Sequence, residues 1–210
     1  GWEVKQHDVH SLIRPRSGEV TLFDIAPDGG EYIELGASEF AKRRGRPRAG
    51  GDRYDFTGKY RGTSPLETTG LRFEVVGFDG TNIDPTGAVT LVGNTGDTAM
   101  SWSFSKLLGH WNRKHAQAVF IGSEKRDVEV AGSQVREYRY GQHVELGTGT
   151  HFRRFLGGIN AGTIAFDPGL KVEKGANGRW KSHARFPFRI SSRELRELYV
   201  DFEELRTCDT

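Results

Sequence analysis

The sequence predicts a mixed α/β domain of the α+β kind, with a mainly antiparallel β component and three helices. Two apolar stripes carry the prediction. Phe104, Leu107, Leu108 and Trp111 recur at i, i+3, i+4 and i+7, and Phe152, Phe155, Leu156 and Ile159 repeat that spacing. Short β-like runs lie around them, separated by glycine-rich turns, and the 28 glycines follow no collagen period. Residues 116–121, directly after the first stripe, form an apolar run long enough for a buried strand.

In chain order, residues 2–9 read as a first strand, where side chains two apart share a face. Glu3 and Lys5 then emerge side by side, with Trp2 and Val4 expected to pack on the other face. Arg14, Pro15, Arg16 and Ser17 make a polar turn, and residues 20–23 a second strand that closes a hairpin with the first. Pro27, Asp28, Gly29 and Gly30 end it with turn chemistry. Residues 37–44 read as a short helix with Phe40 inward and Gly45 as its stop. Residues 71–78, 89–92 and 98–102 form a three-stranded meander, turning at Asp79-Gly80, at Pro85-Thr86-Gly87 and around Asn94 to Asp97.

Ser103 is the N-cap of the first amphipathic helix. Its end, with His110, Arg113, Lys114 and His115, carries positive charge that suits the C-terminal dipole. Residues 135–146 alternate as an extended strand or pair. Gly162 stops the second amphipathic helix; residues 163–167 are a strand ended by Pro168-Gly169, and residues 174–181 a polar loop. Residues 186–190 are a final strand. Ser191 and Glu194 then form a capping box, with Ile190 and Leu195 as the matching hydrophobic staple. They start a last helix whose core face is Leu195, Leu198, Tyr199 and Phe202.

At 210 residues, 35% hydrophobic and 28% charged, one domain over residues 1–210 is expected. No run approaches the roughly 20 apolar residues of a spanning helix, so no membrane partner is expected. The formal net charge of +2 excludes a basic-tail protein, and the clustering of arginine matters more than the sum. One cysteine, Cys208, excludes a disulfide framework and a Cys-rich zinc site, and fits a reducing cytoplasm. No signal-peptide pattern is present. The sequence opens without Met inside an apparent strand, so the natural chain is expected to extend upstream of Gly1.

The chemistry-bearing candidates are few. No G-x-S-x-G elbow, no G-x-x-x-x-G-K-[ST] loop and no G-x-G-x-x-G occurs; Gly147-Thr148-Gly149 is only a fragment of the last. None of the seven histidines has H-E-x-x-H spacing. Each reads first as a surface or packing residue; His183, close to Arg185 and Arg189, is the one suited to a phosphate contact. Glu3 and Lys5 suit phosphodiester chemistry. A carboxylate can hold a divalent cation, and an ammonium can orient a water or balance charge on a phosphate. An exposed cross-strand charge arrangement gives the same pattern. Lys42, Arg43, Arg44, Gly45, Arg46, Pro47 and Arg48, followed by Arg53, read either as a solvated loop or as a phosphate-gripping one.

Three blocks carry a resemblance. Gly1-Trp2-Glu3-Val4-Lys5, with Gly18-Glu19-Val20-Thr21-Leu22-Phe23 and Pro27-Asp28-Gly29-Gly30, resembles the catalytic hairpin of type II restriction endonucleases of the MvaI/BcnI class. Residues 102–116 and 183–190 resemble further blocks of that family, so the resemblance spans most of the chain. It implies a PD-(D/E)xK core, a mixed sheet flanked by helices with an added antiparallel meander. It also implies a divalent metal, Mg²⁺, and hydrolysis of double-stranded DNA by a monomer. On these positions Glu3 would ligate the metal, Lys5 would position or activate the attacking water, and His183 would lie near the scissile phosphate. Arg43, Arg44, Arg46, Arg48, Arg53, Arg113 and Lys114 would grip the duplex. The family's second metal ligand, an aspartate, belongs on a strand before the E-x-K strand, and Asp8 and Asp24 follow it. That aspartate is therefore expected upstream of Gly1. Two readings stay open beside a β-rich domain with no nucleic-acid role: a Mg²⁺-dependent DNA endonuclease, and a catalytically incomplete nuclease-fold DNA-binding module.

Overall fold

Aromatic side chains from both halves of the chain meet at Phe188, whose ring lies 5.3–6.2 Å from those of Phe23, Phe73, Trp102, Phe155 and Phe166. Trp102 satisfies its indole N–H on the Ile25 carbonyl at 2.9 Å, so this fully buried ring leaves no orphaned donor. The computed structural model describes residues 1–12, 18–48 and 50–206. The expected turn at Arg14, Pro15, Arg16 and Ser17, and Cys208, lie outside the described residues.

In chain order the elements are β1 (Glu3–Asp8), β2 (Glu19–Asp24), α1 (Glu31–Arg44), β3 (Arg46–Pro47), β4 (Arg53–Thr57), β5 (Tyr60–Arg61), β6 (Arg72–Phe78), β7 (Ile83–Val92) and β8 (Thr98–Ser103). There follow α2 (Phe104–His115), β9 (Gln117–Val130), β10 (Ser133–Thr148), α3 (Phe152–Ala161), β11 (Ile164–Phe166), β12 (Gly169–Lys174), β13 (Trp180–His183), β14 (Pro187–Ser191), a 3-10 turn (Leu195–Leu198) and β15 (Asp201–Arg206). The first sheet, β1-β9-β10-β15, is mixed: β1 runs parallel to β9, and the other pairs are antiparallel. A second sheet, β2-β14-β11-β5, and a third, β13-β12-β4-β3, are antiparallel, and β6-β7-β8 is the expected meander. The fold class is thus the one read from the sequence.

Both amphipathic helices form where their stripes predict. Ser103 caps α2, accepting from the Lys106 N–H at 3.4 Å, and Phe104, Leu107 and Trp111 are buried; Leu108, at the stripe's edge, is partly exposed. Burying Leu107 alone contributes about 2 kcal/mol. All four stripe residues of α3 are buried, and Gly162 ends it in the left-handed region at φ 76°.

Several expectations are corrected. β1 and β2 form no hairpin, because β1 pairs with β9 and β2 with β14. The inward face of β1 holds Lys5, His7 and half-buried Glu3, while Trp2 and Val4 are 47% and 67% exposed. Polar partners on α2 and β2 wait on the inner side, so the polar side chains of β1 turn inward. The basic run is no loop: α1 extends to Arg44, and β3 and β4 carry Arg46 and Arg53. Pro85, Thr86 and Gly87 lie inside β7. β12, within residues 168–174, was not anticipated.

The last helix is a single 3-10 turn. Ser191 stays in β14, and Glu194 donates its N–H to the Ser191 carbonyl at 3.0 Å. Tyr199 is extended, and Phe202 belongs to β15, which pairs with β10 over six positions. Six residues of strand ladder outweigh one local capping signature.

Beyond the first sheet β9 and β10 continue as a two-stranded ribbon, with ion pairs from Arg126 to Glu137 and from Arg136 to Asp127. Its tip is a two-residue turn, Ala131 and Gly132, both left-handed at φ 50° and 77°. Such turns demand φ > 0 at both central residues, which costs a β-carbon-bearing residue about 1–2 kcal/mol. Ala131→Gly is expected to raise stability by roughly 0.5–1 kcal/mol in urea unfolding, and an unchanged midpoint would contradict the strain.

Candidate active site

Glu3 and Lys5 reach one face because β1 is extended, and β9 holds them there through the registers Glu3 to Ala118 and Lys5 to Phe120. Lys5 is 9% exposed, and its Nζ donates to the Leu22 carbonyl oxygen at 2.6 Å. Glu3 Oε1 lies 3.9 Å from that ammonium. A second cation arrives from the last turn of α2: Lys114 Nζ donates to the same Glu3 oxygen at 2.8 Å. Burial pushes Lys5 down to about 8; Glu3 opposes the shift and Lys114 reinforces it. Lys5 therefore gives up its proton around pH 8, well below a surface lysine, and is still mostly charged at pH 7.

The acceptor that holds Lys5 is a product of strand irregularity. β2 and β14 pair Phe23 with Phe188 and Thr21 with Arg189, which skips Leu22. Such a bulge re-aims the backbone, as bulges beside functional sites do. The Leu22 carbonyl accepts from Lys5 and also lies 3.1 Å from His115 Nε2. A carbonyl only accepts, so Nε2 carries the proton, and Nδ1 accepts from the Tyr199 hydroxyl at 2.6 Å. His115 is fully buried and stacked on Trp111, with centroids 4.3 Å apart. Burial first, then Lys5, push its imidazole down to about 3, so it is neutral. Gly147 on β10 makes room for this arrangement, since a Cβ there would lie 2.7 Å from the Tyr199 ring.

His115 and Tyr199 were missed as site residues. One signal was present: His115 follows Trp111 by four positions, so it extends the apolar stripe of α2 as a titratable group on a buried face.

Of the expected DNA contacts, Lys114 lies at Glu3, and Arg113 stands on the same helix end, its guanidinium 3.1 Å from the His110 ring. Arg44 is largely withdrawn into ion pairs with Glu31 and Asp97, which tie α1 to the turn before β8. Arg43 pairs with Glu31 at 3.3 Å and keeps a 60% exposed side chain. Arg48 and Arg53 converge on buried Asp55 at 2.6 and 2.7 Å while remaining open to solvent. Arg46 is on β3. His183 ends β13, opposite Lys171, in the third sheet with Arg46 and Arg53. It is thus grouped with the basic run, not with the contacts of Glu3 and Lys5.

A magnesium ion takes octahedral oxygen ligands, commonly one or two protein carboxylates with waters and substrate phosphates. Glu3 offers one carboxylate. Among the described residues no group of three His, Cys, Asp or Glu side chains could hold a metal ion. The cluster therefore suits one carboxylate share of such a site and forms no protein cage.

The family model for the MvaI/BcnI restriction endonuclease family matches residues 1–199. No curated protein matches the chain. Solved structures share its fold, among them two of MvaI. Restriction endonuclease MvaI in the absence of DNA is 17% identical at a TM-score of 0.62, over 97% of this chain and 78% of that one. The MvaI complex with its cognate DNA substrate is 18% identical at 0.66, over 96% and 77%.

Proposed function

The chain belongs to the MvaI/BcnI restriction endonuclease family, and on that premise we propose that it is a Mg²⁺-dependent endonuclease hydrolysing phosphodiester bonds of double-stranded DNA. Restriction endonucleases are hydrolases that generally need a divalent metal. The observation that carries the reading for these residues is the Lys5 ammonium, buried, held on a backbone carbonyl 2.6 Å away beside Glu3, with its pKa pushed down to about 8.

In this reading Glu3 would contribute one carboxylate to the metal. The ion, when bound, would polarise a phosphoryl oxygen and acidify a water. Lys5 orients the attacking water and, once neutral, can take its proton; a group titrating near the working pH is suited to that role. Lys114 releases Glu3 and turns to a phosphate oxygen, where Arg113 adds a second donor. Arg43, Arg46, Arg48 and Arg53, with His183 on the same sheet as Arg46 and Arg53, supply backbone contacts to the duplex. The same reading takes residues 1–210 as one restriction-endonuclease-like domain that works in the cytoplasm as a monomer.

One observation favours a second reading, an incomplete nuclease-fold module that binds DNA without cutting it: among the described residues Glu3 is the carboxylate paired with Lys5, and two ammonium groups already face it. Plasmid DNA separates the two. The endonuclease reading expects nicking or linearisation with Mg²⁺ and none with EDTA. Salt-dependent gel shifts without cleavage in Mg²⁺ would leave only the module.

A further inference from the structure

We propose that His115 is a positioning residue for Lys5, acting through the bulged Leu22 carbonyl that both side chains share and oriented by the Tyr199 hydroxyl. A carbonyl oxygen has two lone pairs. Here one receives the Lys5 ammonium at 2.6 Å and the other the His115 Nε2–H at 3.1 Å. Leu22 lacks a register partner on β14, so the ladder does not fix the orientation of its peptide; the imidazole does. The imidazole is itself held on three sides: by the Tyr199 hydroxyl on Nδ1, by the Trp111 ring 4.3 Å away, and by the edge-on Phe23 ring at 6.2 Å. The Leu22 carbonyl fixes the tautomer, because it only accepts and so requires a protonated Nε2; the Tyr199 hydroxyl answers by donating to Nδ1 and holds the ring in that orientation.

Lys5 needs such support. Its four-carbon stem is flexible, and catalytic groups displaced by about 1 Å lose on the order of 10²-fold in rate. The chain from Tyr199 through His115 and Leu22 to Lys5 links the residue that follows the 3-10 turn to α2, β2 and β1. It converts a mobile ammonium into one fixed 3.9 Å from Glu3. His115 touches neither Glu3 nor any open surface, so its effect on the reaction is indirect.

The catalytic half of this inference rests on the endonuclease reading; the geometric half does not. The test uses the full chain with His115→Met, which keeps bulk and removes both ring nitrogens, and His115→Gln, whose amide can donate to Leu22 and accept from Tyr199. At pH 6.5, nitrogen-resolved NMR of the wild type is expected to show a Lys5 ammonium signal protected from solvent exchange, and His115 as the Nε2–H tautomer. The ammonium signal disappears in His115→Met and returns in His115→Gln. In cleavage assays His115→Met lowers kcat by about 10²-fold with KM unchanged, and His115→Gln recovers most of it. Should the methionine variant not fold, Tyr199→Phe removes only the hydroxyl and is expected to broaden the Lys5 signal and lower kcat alone. A Lys5 signal unmoved in the folded variants, or kcat unchanged beside a lost signal, overturns the proposal. A wild type with the expected NMR pattern and no cleavage in Mg²⁺ overturns the endonuclease reading instead, and leaves the positioning geometry standing.

Discussion

Lys5→Met is expected to lower DNA cleavage by about 10²–10⁴-fold, the usual worth of a positioned proton-transfer group, while leaving DNA affinity nearly unchanged. The same substitution is expected to stabilise the fold. Lys5 keeps its charge at pH 7 in a site that pushes its pKa from 10.5 to about 8. At about 1.4 kcal/mol per unit, that burial costs roughly 3 kcal/mol, part of which the hydrogen bond to Leu22 offsets. A methionine of similar length removes the charge and keeps the packing, so a gain of about 1–2 kcal/mol in urea unfolding is expected. The sign with pH follows from linkage. Above about 8 the folded protein has released this proton while the unfolded chain holds it up to 10.5, so wild-type stability rises with pH across that window. The advantage of Lys5→Met is therefore full below pH 8 and fades by pH 10.5. Loss of stability at pH 7, or wild-type cleavage, would sink the assignment. A buried charge that costs stability while serving chemistry marks a functional residue; an ordinary surface ion pair does neither.

Local periodicity made much of this fold legible. The stripes of α2 and α3, the cap at Ser103, the stop at Gly162 and the meander all follow from residues close in sequence. What escaped was set by distant pairing. β1 alternates, which fixes that Glu3 and Lys5 share a face, yet not which face is buried. That depends on Lys114 and His115, more than a hundred residues on. The capping box at Ser191 is a sound local signal that lost to β15 completing a sheet with β10. The basic run looked like a loop because its acidic partners, Glu31, Asp55 and Asp97, are scattered in sequence. The bulge at Leu22 has no local mark at all, since neither glycine nor proline makes it, and Lys5 depends on it. Gly147 was visible as a glycine, but only the Tyr199 ring lying against it shows why a side chain is excluded there.

Acid should unfold this protein earlier than its carboxylates alone require, and His115 is the reason. The imidazole is fully buried and neutral, with its pKa pushed from 6.5 to about 3 by burial, then by Lys5; Lys114 adds to the shift, and the Leu22 carbonyl opposes it. Tyr199, packed against it, stays protonated because burial raises its own pKa. Below 6.5 the unfolded chain takes up a proton that the folded protein refuses. Stability present above pH 6.5 is therefore lost as the pH falls toward 3, at about 1.4 kcal/mol per unit. Between pH 6.5 and 4.5 the loss is roughly 3 kcal/mol, a large share of a typical domain's stability. His110 is also shifted down, by burial and then by Arg113, Lys106 and Lys114, so it adds a smaller slope in the same direction. The two are separable in urea unfolding across that range. His110→Gln should leave most of the slope, whereas His115→Gln, which cannot take up a proton in either state, should flatten it even if its stability at pH 7 is lower. An equal slope in wild type and His115→Gln would mean that the imidazole is already protonated in the folded state. Nε2 and Nδ1 would then both be donors, and the Tyr199 hydroxyl would have to turn and accept.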